Sequence, residues 1–156
     1  MHKPRTPPPF RIQDLGEIAI RTSRMDEMFA FYRDVVGLQV LTEPSDGIAF
    51  FRIAAGYEGH TKVLALFEPT AGRPAVHPHG NTAPQGGVGS TLHHLALNID
   101  FQAQPAAIAW LQSQGLEVVE QVFDWIGWRG VFFRDPDGNT VEFVAKDPSW
   151  LGPGKG

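Results

Sequence analysis

The chain repeats itself once. Gly16-Glu17-Ile18-Ala19-Ile20 is answered 77 positions later by His93-His94-Leu95-Ala96-Leu97, and Leu64-Ala65-Leu66-Phe67 by Val141-Glu142-Phe143-Val144 at the same offset. Between these ends Gly37-Leu38-Gln39-Val40 corresponds to Gly115-Leu116-Glu117-Val118 at an offset of 78, and Phe50-Phe51-Arg52 recurs as Phe132-Phe133-Arg134 at an offset of 82. Small insertions therefore separate two copies of one unit. Duplication narrows the folds open to the chain, because a local structure assigned to one copy must also suit the other, and neither half can close its core alone.

Each copy carries the same order of local signals. In the first, alternation over Leu15 to Thr22 predicts a strand, since successive strand side chains point to opposite faces. Ser23 and Asp26 are spaced to cap a helix start, and Met25, Met28, Phe29, Tyr32 and Val36 form an apolar stripe that Gly37 should end. Strands follow near Gln39 to Thr42, Ile48 to Ile53 and Lys62 to Phe67, the last two joined by a Gly-rich hairpin. In the second copy a strand over Leu92 to Ile99 precedes a helix opened by Pro105 and ended by Gly115. Further strands fall near Glu117 to Val122, Gly130 to Arg134 and Thr140 to Ala145, with Asp135-Pro136-Asp137-Gly138-Asn139 supplying turn chemistry. The plan is β-α-β-β-β, twice, an α+β fold.

The rest of the chain punctuates these modules. Residues 1–12, with Pro4, Pro7, Pro8 and Pro9, read as a flexible arm, residues 13–68 as the first module and 92–147 as the second. The linker, 69–91, holds Pro69, Pro74, Pro78 and Pro84 and glycines at 72, 80, 86, 87 and 89; loops of this length are functional or disordered. Residues 148–156 form a tail in which Trp150 and Leu151 are positioned to dock. With 156 residues and 42% hydrophobic composition, one compact unit is expected. A net charge of −4 and the lack of a basic run argue against nucleic acid or an anionic membrane as partner. The absence of cysteine removes thiolates as ligands, so a metal would need His, carboxylates or water. A soluble, cytoplasmic protein is the expectation.

The duplicated order, together with Phe31-Tyr32-Arg33-Asp34-Val35-Val36-Gly37-Leu38 and Asp135-Pro136-Asp137-Gly138-Asn139-Thr140-Val141-Glu142, resembles the vicinal oxygen chelate superfamily. That superfamily includes glyoxalase, methylmalonyl-CoA epimerase, extradiol dioxygenases, fosfomycin-resistance proteins and bleomycin-binding proteins. The resemblance covers about Leu15 to Lys146 and is specific for fold rather than reaction. It implies two modules paired into a curved mixed sheet around a metal-binding cavity, with ligands from the first and last strands of each.

Carried over residue by residue, those positions are Glu17, Ala65, His94 and Glu142, so the resemblance implies a metal held by Glu17, His94 and Glu142. Strand parity agrees: Glu17, Ala19 and Arg21 share one face and His94, Ala96 and Asn98 another, opposite Ile18, Ile20, Leu95, Leu97 and Ile99. Glu142 is a charge in a hydrophobic strand, expensive to bury unpaired. The bland alternatives are a solvated Glu17 at a strand start and a satisfied core His94. His93 reads as structural, on the opposite face from His94, and His77 and His79 as a solvated linker pair, with a lid role as the alternative. Of Phe50, Phe51, Phe132 and Phe133, half are expected in the core and half on a pocket, with Trp125 and Trp128 nearby.

One nitrogen and two carboxylates form a hard donor set suited to one divalent ion, Mn, Fe, Co, Ni, Zn or Mg. Glu17 stands where His or Gln is more usual in such families, and Ala65 removes a carboxylate that glyoxalase-like members have. The resemblance implies a metal acting as Lewis acid on substrate oxygens, with Glu17 or Glu142 also able to move a proton. The expected activity is that of a glyoxalase-type lyase or isomerase on an oxygen-rich small molecule. An extradiol-type ring-cleaving dioxygenase is the first alternative and a metal-free drug-binding protein the second. Exposed sheet edges predict a homodimer.

Overall fold

The computed structural model describes residues 12–71 and 92–152. Most of the arm and linker, with His77 and His79, and the end of the tail lie outside the described residues. The element order is β1 (Glu17–Arg21), α1 (Met25–Ala30) continuing as a π-helical turn (Phe31–Val35), β2 (Gln39–Ser45), β3 (Ile48–Ala55) and β4 (Thr61–Phe67). The second module gives β5 (Leu95–Asn98), α2 (Gln104–Ser113), β6 (Val119–Phe123), β7 (Trp128–Arg134) and β8 (Thr140–Lys146).

The strands form two four-stranded mixed sheets, ordered β1-β4-β3-β2 and β5-β8-β7-β6. The internal repeat reappears in their registers: Ile18 pairs with Leu64 and Ala19 with Ala65, while Leu95 pairs with Val141 and Ala96 with Glu142. Among the described residues the ladders do not join into one continuous curved sheet; each module keeps its own.

Parity then sorts the side chains as expected. Ile20, Leu64, Leu66, Leu95, Leu97, Val141 and Phe143 are buried with Met25, Met28, Phe29 and Leu111 of the helices, and Ile18 packs against the same cluster. The predicted capping pair does not form: the start of α1 has no side-chain cap, and Thr22 Oγ1 instead accepts the Arg24 N–H at 2.9 Å. The helix does not stay α-helical to Val36. Its last turn widens, with the Val36 N–H bonded to the Phe31 carbonyl at 3.0 Å.

The modules share one core through that wide turn. Phe31 approaches Phe133, ring centroids 6.3 Å apart, and the Trp110 indole N–H donates to the Val35 carbonyl at 2.9 Å. Tyr32, fully buried, donates its hydroxyl to Asp135 Oδ2 at 2.8 Å. Asp135 also accepts the backbone N–H groups of Asp137 and Asn139 and the Asn139 side-chain amide. A carboxylate only 5% exposed is thus supplied with four donors, the condition under which burying it is tolerable. Burial still pushes the Asp135 carboxyl above the usual value, and these hydrogen bonds oppose the rise.

Candidate functional site

The faces turned away from the helices set Glu142 and Gln121 among small and apolar side chains. In the second module strand pairing places Glu142 between Ala96 and Phe132, with Gln121 beside Gly130 and Val119 beside Phe132 one strand further out. The corresponding positions of the first module are Ala19, Ala65 and Phe50. Phe51 and Phe133 turn into the core while Phe50 and Phe132 are half-buried on this face, the division alternation predicts.

Of the three expected ligands, the structure brings two together. His94 Nε2 lies 3.2 Å from Glu142 Oε2. Glu142 is 5% exposed; burial pushes its carboxyl above the usual range, and the neighbouring His94 imidazole opposes that rise. Glu17 is exposed and is not gathered with this pair. Among the described residues no group of three His, Asp or Glu side chains is assembled to hold a metal ion. Glu17 instead borders a groove of about 300 Å³ between the β1 and β5 edges, whose walls include Ile18, Lys62, Ala96 and Asn98. The reason is topological: β1 and β5 are edge strands of different sheets, so no ladder dictates how far apart Glu17 and His94 sit.

Two further residues shape the site, and alternation alone did not reveal either. Gly130 lies beneath the Glu142 carboxylate: a Cβ there would come within 2.3 Å of Glu142 Oε1 and 2.7 Å of the Phe132 ring. A glycine inside a strand is itself a sign of such close approach. His93, expected on the opposite face, has its Nδ1 2.7 Å from Nδ1 of His94. Leu92 to His94 precede β5, which begins at Leu95, so strict alternation does not govern them.

An aromatic ring, Phe132, meets the pair, and Phe123 backs it. His94 meets Phe132 edge-on at 6.1 Å and Phe132 meets Phe123 at 6.4 Å; in the first module Phe50 and Phe67 form a similar edge-on pair at 6.3 Å. Trp125 and Trp128 are exposed. The tail closes on their hairpin: Trp150 packs over Gly127 and donates its indole N–H to the Asp124 carbonyl at 2.9 Å. His60 lies against Gly16, away from His94 and Glu142.

Residues 14–143 match the family model of the glyoxalase/bleomycin resistance protein/dioxygenase superfamily. The chain belongs to that superfamily. Its fold is shared by a lactoylglutathione lyase from Agrobacterium tumefaciens, 26% identical, covering 88% of this chain and 94% of that one, with a TM-score of 0.62. A variant of the fosfomycin resistance protein FosX from Listeria monocytogenes, crystallised with Mn(II) and 1S,2S-dihydroxypropylphosphonic acid, is 16% identical over 88% of this chain and 95% of that one, TM-score 0.61. An antibiotic binding protein from a Streptomyces species is 22% identical over 88% and 99%, TM-score 0.59. Nothing among curated proteins matches the sequence. No described helix is long and apolar enough to cross a membrane.

Proposed function

We propose that this superfamily member is a divalent-metal-dependent enzyme of the glyoxalase type, a lyase or isomerase acting on an oxygen-rich small molecule. The observation that carries the reading is the 3.2 Å approach of His94 Nε2 to Glu142 Oε2. Neighbouring donors of one cation stand about this far apart when each ligand lies ~2.0–2.2 Å from the ion. The carboxylate is buried, and burial of a charge is relieved by a cation. A lyase and a Mn(II)-bound resistance protein among structures of this fold agree with that reading.

His94 and Glu142 would hold the ion, with Glu17 of a second copy of the chain as the third donor, because Glu17 of the same chain is not gathered with them. The bound metal would supply Lewis-acid stabilisation of charge developing on substrate oxygens. The protein's own contributions are then separable. Phe132 and Phe123 would give the substrate an apolar wall that restricts water, Gly130 leaves room for the Glu142 carboxylate, and Glu17 would take or return a proton at its carboxylate. Elemental analysis of dialysed protein tests the reading: about one divalent ion per chain is expected, lost in His94→Ala.

One observation favours a second reading. The edge-on ring pairs Phe50–Phe67 and Phe123–Phe132, with no three donors gathered among the described residues, suit metal-free capture of a flat apolar molecule. Metal-free purified protein that binds neither Mn²⁺ nor Co²⁺ would decide for it.

A further inference from the structure

We propose that His93 is a positioning residue: it accepts the Nδ1–H of His94 and so holds the His94 ring in the tautomer whose bare Nε2 faces Glu142. The inference rests on the reading of His94 as a ligand and extends it to a residue outside the ligand set.

A neutral imidazole has one N–H and one lone pair. Both nitrogens of His94 are engaged, Nδ1 with Nδ1 of His93 at 2.7 Å and Nε2 with Glu142 Oε2 at 3.2 Å. The two contacts make opposite demands. An ionised Glu142 acting alone draws the proton to Nε2, where it would block coordination. An acceptor at Nδ1 draws it to the far side and leaves the Nε2 lone pair free. The Nδ1 contact is the shorter, and the two rings lie edge-on, 5.0 Å apart at 74°, so a nitrogen of each ring meets the other without the rings stacking. In metal sites the hydrogen bond made by the other ring nitrogen commonly sets tautomer and orientation. His93 is exposed, so it can serve as that partner without itself being desolvated, and its replacement removes no core packing.

The test uses the full chain with ¹⁵N-labelled histidine, free of metal, at about pH 8, above the ordinary imidazole range. Long-range ¹H–¹⁵N spectra should show the His94 proton on Nδ1. His93→Leu should move it toward Nε2, whereas His93→Asn, whose amide oxygen occupies nearly the place of Nδ1, should restore the original pattern. A titration with Co²⁺ followed by visible absorbance should show about tenfold weaker binding in His93→Leu, the low end of losses when a residue that orients a metal ligand is replaced, with recovery in His93→Asn. A wild-type His94 protonated on Nε2, or a His93→Leu spectrum with unchanged His94 nitrogens, overturns the proposal. Failure of the wild-type protein to bind Co²⁺ would overturn the metal reading instead, and the ring-nitrogen pattern would still decide the role of His93.

Discussion

The replacement Gly130→Ala probes the site with a single methyl group. Gly130 lies in β7, bonded on both sides within its sheet, and its backbone is not in the left-handed region. If the neighbours could yield freely, alanine would therefore stabilise the protein by about 0.4–1 kcal/mol through the unfolded chain. Both neighbours are side-chain ends, but the Glu142 carboxylate is buried and placed beside His94, so it yields only by leaving that position. The new Cβ would stand 2.3 Å from Glu142 Oε1 and 2.7 Å from Phe132 Cε2, against an ordinary contact of 3.4 Å or more, so the carboxylate must retreat by about 1.1 Å and the ring by about 0.7 Å. Overpacking of this kind costs about 1–3 kcal/mol, which outweighs the entropic gain. We expect a net destabilisation of about 1–2 kcal/mol in urea denaturation, and Co²⁺ binding weakened by about 10- to 100-fold because Glu142 is pushed from its place beside His94. A Gly130→Ala protein as stable as the wild type or more so, with unchanged Co²⁺ affinity, would refute the reasoning.

Tyr32→Phe removes one of four donors to a buried carboxylate, and a loss of about 1.5–3 kcal/mol in urea denaturation is expected. Because burial raises the Asp135 carboxyl above its ordinary value of 3.8, the native state binds a proton where the unfolded chain has lost it, so this group's contribution weakens as pH rises through the window from 3.8 to the raised native value. Stability measured relative to Asp135→Asn should accordingly shift toward the wild type as pH is lowered through that window, and the opposite slope would count against it. Trp150→Ala should speed amide exchange across the hairpin at 123–128, measured by mass spectrometry, since Trp150 covers Gly127 and bonds to Asp124. Mixing Glu17→Ala with His94→Ala under subunit exchange should regenerate metal binding, because a mixed dimer would hold one intact site. A monomer in light scattering that still binds one ion per chain would place Glu17 in the same chain as its partners.

Much of the architecture was legible because it depends on local period and on repetition. The 77-residue offset seen in the sequence is the offset between the paired registers Ile18–Leu64 and Leu95–Val141, since two copies with one apolar pattern must pair their strands alike to bury the same face. Alternation likewise put half of Phe50, Phe51, Phe132 and Phe133 in the core, and the structure shows that half to be Phe51 and Phe133. Tertiary structure decided the rest. The approach of His94 to Glu142 is set by neighbouring strands of one sheet, whereas the separation of Glu17 is set by how two sheets pack, a distance that no periodicity encodes. His93 lies just ahead of β5, where the rule of alternating faces does not apply, so its contact with His94 follows from the path of the chain into the strand. The place of Gly130 under a carboxylate is visible only across strands, because a missing side chain acquires meaning from the atom that fills its space.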